Sequence, residues 1–547
     1  MRKRLGVLVA AAAGAALYIA LLPPAPLELT ATGPRQPRGV FHVHTSRSDG
    51  AGTPADVAAA AARAGIDFVI LTDHGDATRA PDPPAYVDGV LVIDAVEVST
   101  TRGHVVALGL AEAAPYPLGG EGRDAVEDIQ RLGGMAIAAH IGSPKPELQW
   151  TDPAAAIDGI EWINADSEWR DEGAWTLARV LLAYPGRSAA ALGSVLDRPD
   201  PVLARWDTLL QARRVVGVAA VDAHARVGAN EPYDGRISLR LPSYEAMFRT
   251  MTIALESATF SGDPSADAAA VVDALRRGAF FSTIDAIASP GELRITSTNG
   301  TLRVDSNAPA DATIVLLRGG DMVTSAPGPV MEYALPATPA VYRVEVRVPS
   351  APGMPPVPWL VSNAIDVLRP EAVEASAPAP PGVPGTTLFA DGQAGAWTVE
   401  RGGAAQAALD AISAAPAGEQ LLFRFALGGR VSENPFAAAV VPVTGLADYR
   451  QVTFAARADA PMRLAVQLRA PSPGAGRDGE RWRRSVFIDQ TPRTITVSFD
   501  DLRPVPGARE GQVPLAAVDS LLFVVDLVHT PLGASGRVWL DDVRLER

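Results

Sequence analysis

Gly39-Val40-Phe41-His42-Val43-His44, then Pro54 to Ala64, then Phe68-Val69-Ile70-Leu71-Thr72-Asp73-His74: the reading of this stretch decides the fold. The first apolar run ends in histidine and reads as a strand. The Ala-rich segment reads as a helix opened by Thr53 as cap and closed by Gly65. The second apolar run, closing on Asp73-His74, reads as the next strand. Two strands joined by a helix make a βα unit, and repetition of such units predicts a barrel-like α/β domain. His42 and His44 stand two apart on a strand, so both side chains leave the same face, about 6 to 7 Å from one another.

Outward from this unit the pattern repeats to about Ser289. Val90 to Val98, Val105 to Leu110, Met135 to His140, Gly159 to Ile163 and Val215 to Val221 read as strands, with helices near Asp124 to Leu132, Tyr244 to Ser257 and Asp267 to Arg277. Six of the seven histidines lie between His42 and His224, mostly at strand C-termini beside other ligand-type residues. In a βα barrel those ends open on one face, where residues distant in sequence converge. Asp49, in the turn Ser48-Asp49-Gly50, is a candidate carboxylate ligand, and His74 a ligand with Asp73 as its orienting partner. Glu97 interrupts an apolar strand, which is costly for a carboxylate without a cation or partner, and it can bridge two ions. His104, His140 and the pair Asp222 and His224 complete the set.

The order of these motifs resembles the polymerase and histidinol phosphatase (PHP) family. The resemblance covers about Gly39 to Ser289. It rests on Phe41-His-Val-His-Thr45 with Ser48-Asp-Gly50, Leu71-Thr-Asp-His-Gly75, Glu97 with Gly103-His104, Ala139-His140 and Val221-Asp-Ala-His-Ala225. It implies a distorted (β/α)7 TIM-like barrel over residues 36–290 and three divalent metal ions of the Zn, Mn or Fe type. His42, His44, Glu97 and Asp222 would hold one ion, Glu97, His104 and His140 a second, and Asp49, His74 and His224 the third. Glu97, Asp222 and His224 would be catalytic through a metal-bound hydroxide that hydrolyses a phosphate ester. Imidazole and carboxylate ligands do not select among these metals. Amidohydrolases also begin with HxH but usually add a carboxylated lysine at a strand end; Lys145 follows His140 in a Ser-Pro-Lys-Pro loop instead.

A small phosphorylated substrate calls for cations beyond the metals. Arg102, Lys145, Arg170 and Arg226 lie near the ligand-bearing loops and are the candidate substrate-binding residues. Glu161 and Asn164 lie on a barrel strand, where pocket lining and hydrogen-bonded packing are both open readings. Asp166 to Arg205, rich in Trp and Arg, reads as a helical cap over the mouth.

Beyond the barrel the period changes to short alternating segments. These predict a small immunoglobulin-like β-sandwich over 291–369, a Pro/Ala-rich linker over 370–387, and an all-β domain over 388–547 resembling jelly-roll, galactose-binding-like modules. That last resemblance raises Asp541 or Asp542 as holders of a structural calcium, against the plainer reading of two surface aspartates in a strand, and Trp397 or Trp482 as sugar-stacking side chains if exposed, against the commoner core packing. His529, outside the cluster, reads as a surface loop residue. The reading alternative to an enzyme is therefore a non-catalytic, metal-bound envelope protein that binds glycan through its β domains.

At 547 residues, 48% hydrophobic and 20% charged, the chain reads as a multidomain globular protein. A formal charge of −14 argues against a grip on duplex nucleic acid. With no cysteine, disulfides, thiolate ligands and a Cys nucleophile are excluded. Arg2-Lys3-Arg4 precede an uncharged apolar run from Leu5 to Leu22, so residues 1–24 read as a signal anchor or cleaved signal peptide. Eighteen helical residues span about 27 Å, close to a hydrocarbon core. The basic residues would stay cytoplasmic, which places the body in the periplasm or at the cell surface, anchored to the inner membrane or secreted after cleavage.

Overall fold

The computed structural model describes residues 14, 16, 18–20, 22–226, 241–256, 258–349, 351–367, 384–390, 396–414, 418–471, 479–509 and 511–547. Most of the expected anchor or signal segment over residues 1–24, and the linker up to residue 383, lie outside the described residues. Among the described residues no helix is long and apolar enough to cross a membrane. The chain divides into two compact units, Met1–Ala113 with Glu121–Ala372, and Ala114–Gly120 with Val373–Arg547.

The first unit runs β1 (Leu27–Glu28), β2 (Arg38–Val43), α1 (Pro54–Ala64), β3 (Phe68–Leu71), β4 (Ala85–Val87), β5 (Val90–Asp94), β6 (Val96–Thr100), β7 (Gly103–Leu108), α2 (Gly122–Arg131), β8 (Met135–Ala138), β9 (Gly159–Asn164), α3 (Ala165–Arg170), α4 (Ala174–Ala183), α5 (Ser188–Gly193), α6 (Asp200–Ala212), β10 (Val216–Ala220), α7 (Tyr244–Phe248), β11 (Thr252–Leu255), α8 (Pro264–Arg277) and β12 (Phe280–Thr283). The first helix forms as its caps dictate. Thr53 Oγ1 accepts from the Asp56 N–H at 3.2 Å, the Asp56 carboxylate accepts from the Thr53 N–H at 2.9 Å, and Gly65 closes the helix at φ 74°.

Among the described residues, the ladders do not form one closed barrel. They form a sheet ordered β10-β9-β8-β7-β6 and a second sheet that includes β12-β11-β2-β3-β5-β4. The pairs β2/β3, β3/β5, β8/β9 and β9/β10 are parallel, whereas β6/β7, β7/β8, β2/β11 and β11/β12 are antiparallel. Single parallel bridges, Val43 with Ala223 and His74 with Glu97, join the sheets at both margins. The Ala223 N–H donates to the His42 carbonyl at 3.1 Å and the Gly75 N–H to the Glu97 carbonyl at 3.1 Å. The chain is thus stitched together at the ends that carry the ligand-type residues. Phe41, Phe68, Ile70, Leu91, Val106, Ile137, Val218, Ile253 and Phe280 make one continuous core with the inner face of α8.

The β-rich stretch after residue 291 is continuous with this unit. Leu360–Ser362 pairs with β12, and Ala340–Arg347, Thr313–Arg318 and Asp321–Pro327 extend the same sheet outward. The other sheet of this stretch has three strands, Leu293–Thr298, Thr301–Ser306 and Val330–Ala334. A buried ion cluster fastens the join, with Arg343 2.9 Å from Asp207 on α6 and 2.7 Å from Glu345.

The second unit has two six-stranded antiparallel sheets sharing a core of Phe389, Leu421, Phe423, Phe454, Leu468, Phe523 and Leu540, a β-sandwich as expected. Trp397 and Trp482 are not exposed as sugar stacking requires. Both are buried in that core, with their indole N–H groups donating to the Leu388 and Gly511 carbonyls at 3.1 and 3.2 Å. His529 is likewise buried at 4% exposure, not on the surface. Asp541 accepts from the Asp542 N–H at 2.8 Å, and among the described residues neither belongs to a cluster of three potential ligands.

Candidate metal centre

The nine residues singled out by sequence meet at one place. His42 and His44 flank Val43, the last residue of β2, and His42 adopts φ 68°. That left-handed residue bends the strand end, and the two Nε2 atoms lie 3.0 Å apart although the rings are tilted by 43°. His140 at φ 47° and Asp222 at φ 46° are bent in the same way. Left-handed backbone at a non-glycine residue costs on the order of 1 kcal/mol or more, and such strain concentrates at functional sites. Gly50 lets the following turn close, because a Cβ there would lie 2.3 Å from the His44 carbonyl oxygen. Gly103, at φ 104°, lets His104 enter beside the Gln149 backbone.

Glu97 is fully buried at the centre. Its Oε2 lies 3.3 Å from the Nε2 atoms of His42 and His44 and 3.2 Å from Nδ1 of His74, while Oε1 lies 2.8 Å from Nδ1 of His104 and 3.2 Å from Nε2 of His140. Asp222 Oδ1 is 3.4 and 3.3 Å from the same His42 and His44 nitrogens, and its Oδ2 is 3.3 Å from His140 Nε2. Asp49 Oδ2 lies 3.2 Å from His224 Nε2 and 3.8 Å from His74 Nε2. Donors around a four-coordinate ion with bonds of about 2.0 to 2.1 Å stand about 3.3 Å apart, so these spacings fit cations held between them. Buried Asp222 Oδ1 has no hydrogen-bond donor, which is what an oxygen reserved for a cation requires. The groups of three or more that close on a common point are His44, Asp49, His74 and His224; His42, His140 and Asp222; His42, His44 and Glu97; and His74, Glu97 and His104. The set of nine therefore converges, although its partition differs in part from the one implied by the family resemblance.

The imidazoles are aimed from behind. Glu161 accepts the Nδ1–H of His42 through Oε1, and through Oε2 accepts from the His140 N–H and the Asn164 side chain, both at 2.8 Å. Asn164 also donates to Asp222 Oδ2 at 3.1 Å. The Asp222 carbonyl accepts from His224 Nδ1 at 3.0 Å, leaving Nε2 to face Asp49. Carboxylates and carbonyls behind a ligating histidine fix its tautomer and ring plane in this manner. Glu161 and Asn164 are thus part of the centre; their sequence signal was two polar residues in the otherwise apolar strand Gly159–Asn164. Asp73 does not orient His74. It accepts from the Thr45 N–H, Thr45 Oγ1 and Ser48 Oγ, all at 2.7 Å, and so ties down the turn that carries Asp49.

The electrostatics call for positive charge. Burial alone would push the His44 and His140 imidazoles down, but the neighbouring Asp222 and Glu97 carboxylates outweigh it and raise both to about 9. Burial would raise the Glu97 and Asp222 carboxyls, yet the surrounding imidazoles hold both well below the usual carboxylate range. His74 is lowered, by burial first and then by His44 and His104. Metal ions must displace protons from such ligands, so metal binding and protonation compete.

Of the four candidate substrate-binding cations, two lie beside the centre. Arg226 lines a cavity with Asp222, His224, Asp166, Trp169 and Leu196. Arg170, on α3, pairs with Asp166; burial opposes its charge, and Asp166, Asp222 and Asp49 sustain it. Arg102 is half-buried in the β6–β7 turn, where its carbonyl accepts from the Thr151 N–H at 2.8 Å, and Lys145 is exposed in its loop. Among the described residues neither lines that cavity. The stretch expected as a cap is helical, α3 to α6, and Trp169 and Leu192 from it form the cavity's apolar wall.

No family model matches the chain. Among solved structures the chain resembles a family 11 carbohydrate-binding module from Clostridium thermocellum in complex with a β-1,3-1,4-mixed-linked tetrasaccharide, at 17% identity over 30% of this chain and 97% of that one, with a TM-score of 0.26. It also resembles a carbohydrate-binding module described as having promiscuous specificity, at 13% identity over 47% of this chain and 99% of that one, with a TM-score of 0.22. In sequence, 139 residues, 23% of this chain, are 31% identical to the uncharacterized protein MJ1587 of Methanocaldococcus jannaschii and cover 80% of its length. Over that stretch the chain belongs to the family of this archaeal protein.

Proposed function

We propose that the chain is a metal-dependent hydrolase of phosphate esters, of the PHP type, with its body outside the inner membrane. The observation that carries this reading is the convergence of six imidazoles and three carboxylates on one strained, buried point, with a donorless carboxylate oxygen among them. The two bridged sheets would be the open form of a distorted (β/α)7 barrel. Divalent ions at such a centre lower the pKa of bound water and neutralise phosphate oxygens. Glu97 would hold the ions together through its two oxygens, and His42, His44, His104, His140, His74, His224, Asp49 and Asp222 would surround them. Arg226 and Arg170 supply fixed positive charge at the rim for a phosphoryl group. Trp169 and Leu192 exclude water on one side of the cavity.

The test is turnover of a panel of phosphate monoesters and diesters by the full chain supplied with Mn²⁺, Zn²⁺ or Fe²⁺. Turnover that disappears in His42→Ala and persists in Arg303→Gln, an exposed residue of the appended β strands, supports the reading. Absence of turnover with every metal favours the non-catalytic alternative, a metal-bound protein whose β domains bind glycan.

A further inference from the structure

Helix α4, Ala174-Trp175-Thr176-Leu177-Ala178-Arg179-Val180-Leu181-Leu182-Ala183, is inside out. Val180 and Ala183 face the protein, while Trp175, Leu181 and Leu182 are 77%, 53% and 67% exposed. At 100° per residue Trp175, Ala178 and Leu182 form one stripe and Ala174, Leu177 and Leu181 widen it, so the solvent side is an apolar band edged by exposed Arg179. Apolar residues scattered singly on a surface need no explanation, but a contiguous band does.

The band continues into the end of the apolar run Leu5 to Leu22. The Tyr18 hydroxyl donates to the Leu182 carbonyl at 3.2 Å, Leu22 and Tyr18 crowd Gly186 just beyond α4, and Arg187 donates to the Pro23 carbonyl at 2.6 Å. Ile19, one turn from Leu22, is itself 60% exposed. Two apolar surfaces, one at the end of an uncharged run long enough to enter a bilayer, therefore share an edge. A Trp, paired leucines and a flanking Arg are the composition of a helix that lies in a membrane interface.

We infer that α4 is an interfacial helix, its Trp175, Leu181 and Leu182 face seated in the lipid bilayer beside the N-terminal apolar segment. The inference rests on the reading of residues 1–24 as an uncleaved anchor and not on the phosphoesterase reading. It also sets an orientation. The neighbouring α3 and α5 contribute Trp169 and Leu192 to the wall of the cavity at His224, so the membrane contact and that wall belong to one helical segment.

Because the chain has no cysteine, single probes are clean. Leu181→Cys, Leu182→Cys and, as a control on the other unit, the exposed Val431→Cys are labelled with a polarity-sensitive fluorophore in the full chain. Each is reconstituted in vesicles of phosphatidylethanolamine and phosphatidylglycerol. The expected result is a blue shift at 181 and 182, loss of most of their emission with doxyl-labelled lipids and protection from aqueous iodide, with the Val431→Cys probe reversing all three. Protein held in vesicles whose 181 and 182 probes respond as the control does overturns the inference. Failure of the chain to enter vesicles overturns it together with the anchor. Self-quenching between labelled chains without lipid quenching assigns the face to a second copy and also overturns it.

Discussion

Glu161 stands behind His42, accepting its Nδ1–H and leaving Nε2 to face Glu97 and Asp222. The same carboxylate holds the His140 N–H at 2.8 Å, so one side chain sets two of the nine candidate ligands. In Glu161→Gln all nine remain, but one acceptor becomes a donor. Metal affinity is expected to fall about 10- to 100-fold, the usual cost of losing such a partner. Competition against a chromophoric chelator measures it; affinity within about twofold of wild type would show that the contact is packing alone.

Metal binding is expected to stabilise the fold, because the donors lie on separate strands and loops that unfolding separates. At a free metal concentration of about 100 Kd, each independent site adds about 2.7 kcal/mol. Thermal unfolding with and without chelator reads this, and Asp222→Asn should respond less to metal than wild type does.

Arg343 is 1% exposed between Asp207 and Glu345. Arg343→Ala leaves buried Asp207 without its cation and Glu345 with only Arg198 and Arg347, and is expected to cost about 3 to 5 kcal/mol. Burial would raise the Glu345 carboxyl, but Arg343 and Arg198 outweigh it and bring it to about 2 from 4.5. A lowered carboxyl pKa contributes stability that is present above about 4.5 and lost as the pH falls towards about 2. Wild type should therefore lose part of its advantage over Glu345→Gln across that window in denaturant titrations.

Glu168, on α3, has the opposite sign. Burial first, then Asp171 and Asp197, push its carboxyl up to about 8, against the hydrogen bond from the Asp197 N–H. The stability tied to its protonated form is complete below about 4.5 and is lost as pH rises through about 8. Glu168→Gln should equal wild type near pH 4 and exceed it near pH 9 by a few kcal/mol at most. Equal stabilities at both pH values would contradict the assignment.

The candidate ligand set was legible because most of its residues close or interrupt apolar strands, where an imidazole or carboxylate needs a reason to be. The backbone strain was not. Left-handed conformation at His42, His140 and Asp222 leaves no mark in sequence when the residue is not glycine. Nor was the role of Asp73 readable, since Asp73 next to His74 suggests contact, whereas the carboxylate turns to Thr45 and Ser48. Alternation identified the strands after residue 291 but could not name their partners, so their continuity with β12 was hidden. Trp397 and Trp482 show the same limit: side-chain type left stacking and the commoner core packing both open, and position in the sandwich decided for the core.

The central claim is that the nine residues form one centre with more than one metal ion, bridged by Glu97. Elemental analysis of the purified full chain after equilibration with Mn²⁺ or Zn²⁺ and gel filtration tests it most directly, alongside Glu97→Gln. The account predicts more than one ion per chain in wild type and a clear drop in the variant. Wild type that retains no stoichiometric metal, or a variant that retains as much as wild type, would contradict it.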